Sequence, residues 1–330
     1  MALGEFDLIA RYFTRPVRRS PLGVGDDCAL LAPAPGMQLA VSTDMLVEGR
    51  HFLSTVAPQR LGHKALAVNL SDLAACGARP LAYTLALSLP SANAAFLAGL
   101  ADGLHALADA HEIELIGGDT TAGPLNLCIT VFGEVPAGAA LLRSGARPGD
   151  ELWVSGTLGE ARLGLEAFRG TLALDAAGFE QARRALELPQ PRVALGLALR
   201  GLASSAIDLS DGLLGDLGHV LRRSGAALAP ADARPLGATL QAAALPGSAL
   251  LAAQPAERRW QYLLTGGDDY ELLFTAPPQR HAAIRAAAAA CATPVHCIGR
   301  IEAPGAPLRV LLDDGTELAT PWHAYDHFRT

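Results

Sequence analysis

The chain has 330 residues, of which 50% are apolar and 18% are charged. This composition excludes an intrinsically disordered protein, in which apolar residues are scarce and net charge is high. The length favours two domains, because a single hydrophobic core stops growing near ~250 residues. The formal net charge of −7 argues against a nucleic-acid-binding surface, which needs an excess of basic residues.

Lys64 is the only lysine in the sequence, which excludes several classes of phosphate-binding protein. No G-x-x-x-x-G loop precedes it, as a P-loop would require, and the H-R-D and D-F-G motifs of protein kinases are missing. We therefore interpret Lys64 as a structural residue.

The five cysteines are widely spaced and include no C-x-x-C pair, so we expect reduced thiols rather than a disulfide framework or a zinc site. The first residues lack the basic and apolar stretches of a signal peptide. No run of ~18 uncharged apolar residues predicts a membrane span. We expect a cytoplasmic protein without membrane or nucleic-acid partners.

Short strand-like runs alternate with longer helical runs in residues 1–137, which predicts an N-terminal α/β domain. We predict strands at residues 39–41, 83–89, 114–116 and 127–135, and helices at residues 59–76 and 92–110. Residues 138–150 are rich in glycine and proline, so we predict that they connect this domain to the next.

The alternation continues in residues 151–330, which we predict to form a C-terminal α/β domain. The predicted strands are residues 152–154, 206–208, 271–275 and 310–312, and the predicted helices are residues 158–168, 192–202, 211–223 and 279–292. Residues 230–250, which are rich in alanine, proline and glycine, give no clear prediction.

Aspartates stand beside small or hydroxylated residues where the apolar runs end. They are Asp26, Asp27, Asp44, Asp72, Asp119, Asp208, Asp211, Asp268 and Asp269. Open α/β sheets build their sites at strand ends, and glycine there lets a phosphate approach the backbone. Carboxylates and hydroxyls with few histidines are typical of Mg²⁺ sites, because this hard cation prefers oxygen ligands.

Some of these aspartates have an equally simple structural explanation, since Asp is common in turns and at helix N-termini. Asp211 fits a helix cap as well as it fits a metal ligand, and we interpret Asp26 as structural. Asp72 differs, because it falls inside a helical segment among apolar residues. A carboxylate in such surroundings must be paired or bound to a metal ion.

Ordered motifs along the whole chain make it resemble the thiamine-monophosphate kinases, in the aminoimidazole-ribonucleotide synthetase-like superfamily. The resembling segments are Gly23-Val24-Gly25-Asp26-Asp27, Ser42-Thr43-Asp44, Asn69-Leu70-Ser71-Asp72, Gly117-Gly118-Asp119-Thr120-Thr121, Arg143-Ser144-Gly145, Ile207-Asp208-Leu209-Ser210-Asp211-Gly212, Gly266-Gly267-Asp268-Asp269-Tyr270-Glu271 and Tyr325-Asp326-His327-Phe328. Each motif is weak alone, but their common order is specific.

The resemblance implies two α/β domains with mixed sheets, an N-terminal sheet that pairs in a homodimer, and transfer of the γ-phosphoryl group of ATP to thiamine monophosphate. It also implies several Mg²⁺ ions. By matching positions, Asp27, Ser42, Thr43, Asp44, Asp72, Asp119, Asp208 and Asp211 would surround the metal ions. Gly118, Asp119, Arg143 and Ser210 would contact ATP, and His51, Asp268 and Tyr325 would contact the thiamine compound.

Asp268 departs from the family pattern, which usually has glutamate at this position. Because its side chain is shorter than that of glutamate, we weigh two roles for the Asp268 carboxylate equally. The carboxylate either attracts the thiazolium cation of the substrate or shapes its own turn through the backbone.

The chemistry of the implied reaction agrees with the residues. A phosphate monoester has a second pKa near ~6, so at neutral pH it is already an anionic nucleophile and we assign no general base. Charge neutralisation and positioning are then the main requirements. The alternatives are another ATP-dependent enzyme of the superfamily, such as a purine-pathway synthetase, a Mg²⁺-dependent phosphatase, and a non-enzymatic nucleotide or thiamine-phosphate binder.

Overall fold

The computed structural model describes residues 4–322, so the predicted substrate residue Tyr325 lies outside the described residues. The chain divides into two compact units. The first contains the residues up to Leu73 and Ala78–Gly138, and the second contains Ala74–Gly77 and the residues from Ala139 onward. Each unit combines helices with a mixed β-sheet, which confirms the predicted α/β class. Within residues 4–322, no helix has the length and apolar character needed to cross a membrane.

The first unit is built on a four-stranded sheet. Its elements are α1 (Glu5–Leu8), β1 (Met37–Val47), α2 (Pro58–Ala75), β2 (Arg79–Leu89), α3 (Ala94–Ala110), β3 (Glu114–Ala122) and β4 (Asn126–Pro136). The strand order is β1-β4-β2-β3. Strands β2 and β3 are parallel, and β4 pairs antiparallel with both β1 and β2. Strand β1 is therefore an edge strand.

Alternation along the strands gives this sheet one buried face and one open face. Leu127, Ile129 and Val131 of β4 are at most 1% exposed, and they pair in register with Leu46, Asp44 and Ser42 of β1. The side chains in between form what we call the open face. It is made of Leu39, Val41, Thr43 and Met45 of β1, Ala86 of β2, and Cys128 and Thr130 of β4. Val41 and Met45 are 57% and 52% exposed.

Helices α2 and α3 approach each other closely at Gly62. A Cβ atom at this position would lie 2.1 Å from the carbonyl oxygen of Leu100, a distance that no real contact permits. Any larger residue would push the two helices apart. The side chains of Leu66, Leu70 and Leu73 follow on α2, and each is at most 1% exposed.

The second unit is built on a six-stranded sheet. Its elements are β5 (Glu151–Ser155), α4 (Glu160–Phe168), α5 (Ala176–Glu187), α6 (Val193–Leu199), β6 (Ser205–Asp208), α7 (Leu213–Leu228), β7 (Leu236–Gln241), α8 (Ala249–Ala252), α9 (Ala256–Thr265), β8 (Leu272–Ala276), α10 (His281–Ala290), β9 (Val295–Pro304) and β10 (Leu308–Leu311). The strand order is β10-β7-β9-β5-β8-β6, and only the β10–β7 pair is parallel.

Helix α7 packs into the core of this unit through its apolar side. Leu213, Leu217 and Val220 are each at most 1% exposed and belong to the same cluster as Ile207 and Leu273 of the sheet. Burial of a leucine side chain stabilises a fold by about 1.5–3 kcal/mol. The helix is thus anchored to the sheet along its length.

The structure differs from the sequence predictions in the extent of several elements. Residues 230–250, which gave no prediction, contain β7 and the start of α8. Strand β1 runs to Val47, so Ser42, Thr43 and Asp44 lie inside a strand and not at its end. Asp119 likewise lies within β3. Polar residues break the apolar pattern in both strands, because a strand that faces solvent on one side needs apolar residues only at alternate positions.

Glu114, at the start of β3, fastens the segment that precedes β1. Its carboxylate accepts backbone N–H groups from Arg18, Arg19 and Ser20 at 2.5–3.3 Å. Burial by itself would raise the pKa of Glu114, but these donors outweigh it and hold the pKa below its usual value. The ionised carboxylate is therefore the form that stabilises this segment.

Replacing Glu114 should make the stability of the protein less dependent on pH. Because the folded pKa is lowered, the contribution of Glu114 is present above its unfolded pKa of ~4.3 and is lost as the pH falls through the folded value. We expect Glu114→Gln to lower the free energy of unfolding by about 1–2 kcal/mol at pH 7 and by much less at pH 3. Urea denaturation at both pH values measures this, with the exposed neighbour Glu112→Gln as the matched control. An equal loss at both pH values would contradict the prediction.

Candidate functional site

Asp72 of α2 meets Ser42 of β1, so the structure brings two of the predicted metal ligands together. The Ser42 hydroxyl donates a hydrogen bond of 2.5 Å to Asp72 Oδ2. Asp72 is half-buried, while its neighbours Ser71 and Leu73 are at most 1% exposed. The sequence argument that a carboxylate on this apolar helix must have a polar partner agrees with this contact.

Asp44 lies two residues further along the same face of β1. Its backbone N–H donates to Oδ1 of Asn69, at 3.0 Å, and the amide of Asn69 donates in turn to the carbonyl oxygen of Ala65 at 2.9 Å. Asn69 is 1% exposed. The buried amide thus links β1 to α2 one turn before Asp72, and it fixes the backbone at Asp44.

Thr43 and Asp119 point away from this cluster. The hydroxyl of Thr43 lies 2.8 Å from that of Thr130 on the open face. Asp119 is exposed and pairs in register with Ala86, which belongs to the open face as well. The sequence grouped these residues with Ser42 and Asp44, but strand alternation places their side chains on the other side of the sheet.

Gly118, a predicted ATP contact, has a backbone that suits glycine alone. Its φ is +149°, and a Cβ atom would lie 1.9 Å from the carbonyl oxygen of Leu85 in the neighbouring strand. A substitution there would therefore disturb the β2–β3 pair, whether or not the position also contacts a ligand.

Asp27 and His51 occupy loops of the first unit. Asp27 is exposed, and its backbone N–H donates to the carboxylate of Asp26 at 2.8 Å. His51 follows β1, and its Nδ1 accepts the backbone N–H of Val47 at 3.0 Å. Because Nδ1 accepts this bond, the neutral ring carries its proton on Nε2. Nε2 is then a hydrogen-bond donor and not an acceptor.

Two loops of the second unit are joined by backbone hydrogen bonds at the end of β6. The N–H of Asp268 donates to the carbonyl oxygen of Ser210 at 2.9 Å, and the N–H of Tyr270 donates to that of Leu209 at 2.8 Å. Asp208, the last residue of β6, is 5% exposed. The structure therefore brings the segment of Asp208, Ser210 and Asp211 beside the predicted substrate residue.

Asp268 and Tyr270 carry the strained backbone of this region, with φ values of +66° and +50°. Gly266 and Gly267 do not adopt positive φ values themselves. These glycines are required because a Cβ atom at Gly266 would lie 2.4 Å from the carbonyl oxygen of Tyr262. The Tyr270 hydroxyl donates to Asp268 Oδ1 at 2.9 Å, which favours the turn-shaping alternative for that carboxylate.

Asp216 is a site residue that the sequence reasoning missed. It is 3% exposed, and its Oδ2 accepts the backbone N–H groups of Asp211 and Gly212, both at 3.1 Å. Burial first, and then the charge of Asp211, raise the pKa of Asp216 to about 7. The N-cap of α7 is Gly212, which makes no side-chain cap. The oxygen that holds the start of the helix therefore comes from Asp216 and not from Asp211, for which a cap was one of two equal alternatives. An acidic residue in the first turn was the signal that could have identified it.

Arg143, the predicted ATP contact, lies in an exposed segment held by helix α7. Ser224, which is fully buried, accepts the N–H groups of Gly145 and Ala146 at 3.2 and 3.1 Å. Its hydroxyl donates to the carbonyl oxygen of Arg143 at 3.3 Å. The positive charge of Arg143 lowers the pKa of Asp216, against the larger effects of burial and of Asp211.

The oxygen donors suit a hard divalent cation, although no compact metal cluster is formed by the residues that the structure describes. Among residues 4–322, no three His, Cys, Asp or Glu side chains lie together as a group that could hold a metal ion. In the first unit, Ser42, Asp44 and Asp72 offer hydroxyl and carboxylate oxygens on one face. In the second unit, Asp208 and Asp211 offer carboxylates. This donor chemistry fits Mg²⁺ better than zinc or copper.

The chain is similar in sequence and in fold to known proteins. A family model described as AIR synthase related protein, N-terminal domain, matches residues 25–135. The crystal structure of a thiamine-monophosphate kinase from Stenotrophomonas maltophilia K279a has a TM-score of 0.81 and 44% identity, and the match covers 95% of this chain and 98% of that one. A structure described as AaThiL complexed with AMPPCP and TMP has a TM-score of 0.75 and 28% identity, with 90% and 89% covered.

The thiamine-monophosphate kinase of Escherichia coli strain K12 is 45% identical to this chain over 337 residues, and the match covers 100% of both proteins. The same name is carried by a relative from Salmonella typhimurium strain LT2 that is also 45% identical over 337 residues. Because the similarity extends over the whole length and not only over one unit, the chain belongs to the family of thiamine-monophosphate kinases.

Proposed function

We propose that this chain transfers the γ-phosphoryl group of ATP to the phosphate of thiamine monophosphate, giving thiamine diphosphate and ADP. A terminal oxygen of the acceptor phosphate attacks the γ-phosphorus, and the bond to the β–γ bridging oxygen breaks. The observation that carries the proposal is the full-length similarity to thiamine-monophosphate kinases. A neighbour of the same fold is described as a complex with AMPPCP and TMP.

The site residues support this reaction through charge and positioning. The main obstacle is repulsion between two polyanions, and the transferred group needs no covalent attachment to the protein. Several Mg²⁺ ions would neutralise phosphate charge. The proposed ligands are Asp27, Ser42, Thr43, Asp44, Asp72, Asp119, Asp208 and Asp211. The side chains of Thr43 and Asp119 lie on the other side of the sheet, so they would not share an ion with Ser42, Asp44 and Asp72. Gly118, Asp119, Arg143 and Ser210 are the proposed ATP contacts, and His51, Asp268 and Tyr325 the proposed substrate contacts.

Incubation with Mg-ATP and thiamine monophosphate tests the reaction directly. The proposal requires formation of thiamine diphosphate in step with ADP. Phosphate release from thiamine monophosphate without ATP would instead indicate a phosphatase, and binding of both compounds without turnover would indicate a binding protein.

We also propose a homodimer that forms through the open face, in the cytoplasm. An edge strand with exposed apolar residues is prone to pair with another chain, and Leu39, Val41 and Met45 are 43–57% exposed. A two-fold axis would bring this face against itself, because both copies present the same surface. Thr43 would then lie at the dimer interface. We further propose that residues 138–150 connect an N-terminal domain, residues 1–137, to a C-terminal domain, residues 151–330.

Replacing Asp72 should remove activity without unfolding the protein. Asp72→Asn keeps an oxygen that can accept the Ser42 hydroxyl but loses the negative charge that a cation needs. We expect kcat to fall on the order of 10²-fold, as when a charge-stabilising group is lost. Steady-state kinetics at saturating Mg²⁺ measure this, and Asp102→Asn on the exposed side of α3 is the control. Turnover near that of the wild type would show that Asp72 is not a ligand.

Replacing Asp268 separates its two possible roles. If the carboxylate attracts the thiazolium cation, Asp268→Asn should raise KM for thiamine monophosphate several-fold and leave KM for ATP unchanged. This rise corresponds to a loss of about 1 kcal/mol of binding free energy. If it only shapes the turn, Tyr270→Phe and Asp268→Ala, which both remove the bond between the hydroxyl and the carboxylate, should lower the melting temperature, and Asp268→Asn should leave both KM values unchanged. Kinetics with each substrate varied in turn, together with thermal unfolding, decide between the two.

A charge on the open face should dissociate the proposed dimer. Val41→Asp would bury an unpaired carboxylate twice in a two-fold interface, which costs several kcal/mol. Analytical ultracentrifugation should show about twice the chain mass of 34.2 kDa for the wild type and a monomer for the variant. Leu228→Asp changes a comparably exposed residue of the second unit, at 48%, and should leave the dimer intact. A monomeric wild type at micromolar concentration would contradict the proposal.

A further inference from the structure

Helix α7 is hydrogen-bonded to both segments of the second unit that carry proposed nucleotide or metal contacts. Asp216, in the first turn of the helix, accepts hydrogen bonds from the Asp211 segment. Ser224, two turns later, accepts hydrogen bonds from the Arg143 segment. Neither residue has a role in the proposed chemistry. Both are buried, at 3% and 0% exposed.

The bond from Asp216 controls the backbone around Asp211. Gly212 has a φ of +108° and no side chain, so nothing in its own structure fixes the entry into the helix. One oxygen of Asp216 accepts the N–H groups of Asp211 and Gly212 together. Without this oxygen, both donors would lie unsatisfied at the helix start, and the Asp211 backbone would lose its anchor.

The bonds from Ser224 control the backbone around Arg143 in the same way. The hydroxyl accepts two N–H groups and donates to one carbonyl oxygen, so all three contacts go to the segment from Arg143 to Ala146. Gly145 in this segment has a φ of +129°, and a Cβ atom there would lie 2.2 Å from the carbonyl oxygen of Ser204. The backbone of this segment is thus restricted to one conformation, and the hydrogen bonds of Ser224 hold it in that conformation.

We propose that Asp216 and Ser224 are positioning residues, and that helix α7 sets the distance between Asp211 and Arg143. The inference rests on the proposed function, because Asp211 and Arg143 are among its metal and ATP contacts in the second unit. The helix suits this task because its apolar side is anchored in the core through Leu213, Leu217 and Val220. A helix anchored in this way cannot shift one segment without the other.

The alternative is that both residues only stabilise the helix, as any buried cap would. Asp175 is an exposed cap and controls for the loss of a cap alone, because it caps α5 in the same unit by accepting the N–H of Gly178 at 2.7 Å. Asp175→Ala should lower the melting temperature and leave the kinetics unchanged. A positioning residue should in addition move the KM for ATP.

The experiment compares Asp216→Ala, Asp216→Asn, Ser224→Ala and Asp175→Ala in the full chain, by amide hydrogen exchange, thermal unfolding and steady-state kinetics. Asparagine keeps an acceptor oxygen for both N–H groups, whereas alanine does not. We expect Asp216→Ala to speed exchange at Asp211 and Gly212, and to raise KM for ATP about tenfold with KM for thiamine monophosphate within twofold. Asp216→Asn should stay near the wild type in both, and Ser224→Ala should act in the same way on residues 145 and 146.

Three results would overturn the proposal. Unchanged exchange and KM in the alanine variants would show that the bonds do not control these segments. A raised KM in Asp216→Asn with protected amides would show that the charge of Asp216 acts on the ligand directly. A raised KM in Asp175→Ala would show that any lost cap has this effect. If the wild type does not phosphorylate thiamine monophosphate, the proposed function fails, but the exchange data still decide the positioning role.

Discussion

The alternation of side chains along β1 decides on which side of the sheet each residue of this strand lies. Ser42 and Asp44 face α2, where Asp72 and Asn69 meet them, and the residues between them face the other side of the sheet. A shift of one residue in the pairing with β4 would exchange these two sets. The proposed metal site and the proposed dimer surface therefore depend on the same register.

In the second unit, several carboxylates are held close together with few basic partners. Asp208, Asp211, Asp216 and Asp268 lie in segments that touch, and burial together with the nearby charge of Asp211 raises the pKa of Asp216. Backbone N–H groups provide much of the compensation. They donate to Asp216, and they join the Ser210 and Asp268 loops, so that the positions of the carboxylates are fixed before any ligand arrives. Such preorganisation is what a phosphoryl-transfer site requires.

The ion pair between Arg192 and the buried Glu271 supports this arrangement. Glu271 is 6% exposed, and Arg192 donates two hydrogen bonds to it, at 2.5 and 2.7 Å, while Ser155 donates a third at 2.5 Å. The carbonyl oxygen of Glu271 accepts the N–H of Leu209, which belongs to the loop after β6. Both carboxylate oxygens of Glu271 are hydrogen-bonded, which is the condition under which a buried charge is tolerated. The pair fixes the position at which the Asp268 loop ends and β8 begins.

The sequence by itself determined the α/β class, the order of the strands and helices from β1 to β4, the need for a polar partner at Asp72, and the family. These follow from periodicity, from the cost of burying a carboxylate, and from motifs whose order is local information in the chain. Only the tertiary structure decided that Thr43 and Asp119 turn away from Ser42, that Asp268 and Tyr270 carry the strained backbone, and that Asp216 and Ser224 hold the loops. These facts depend on strand register and on hydrogen bonds between residues up to about eighty positions apart, as between Ser224 and Gly145. No local pattern records such contacts, because they exist only once the strands have paired and helix α7 has packed on the sheet.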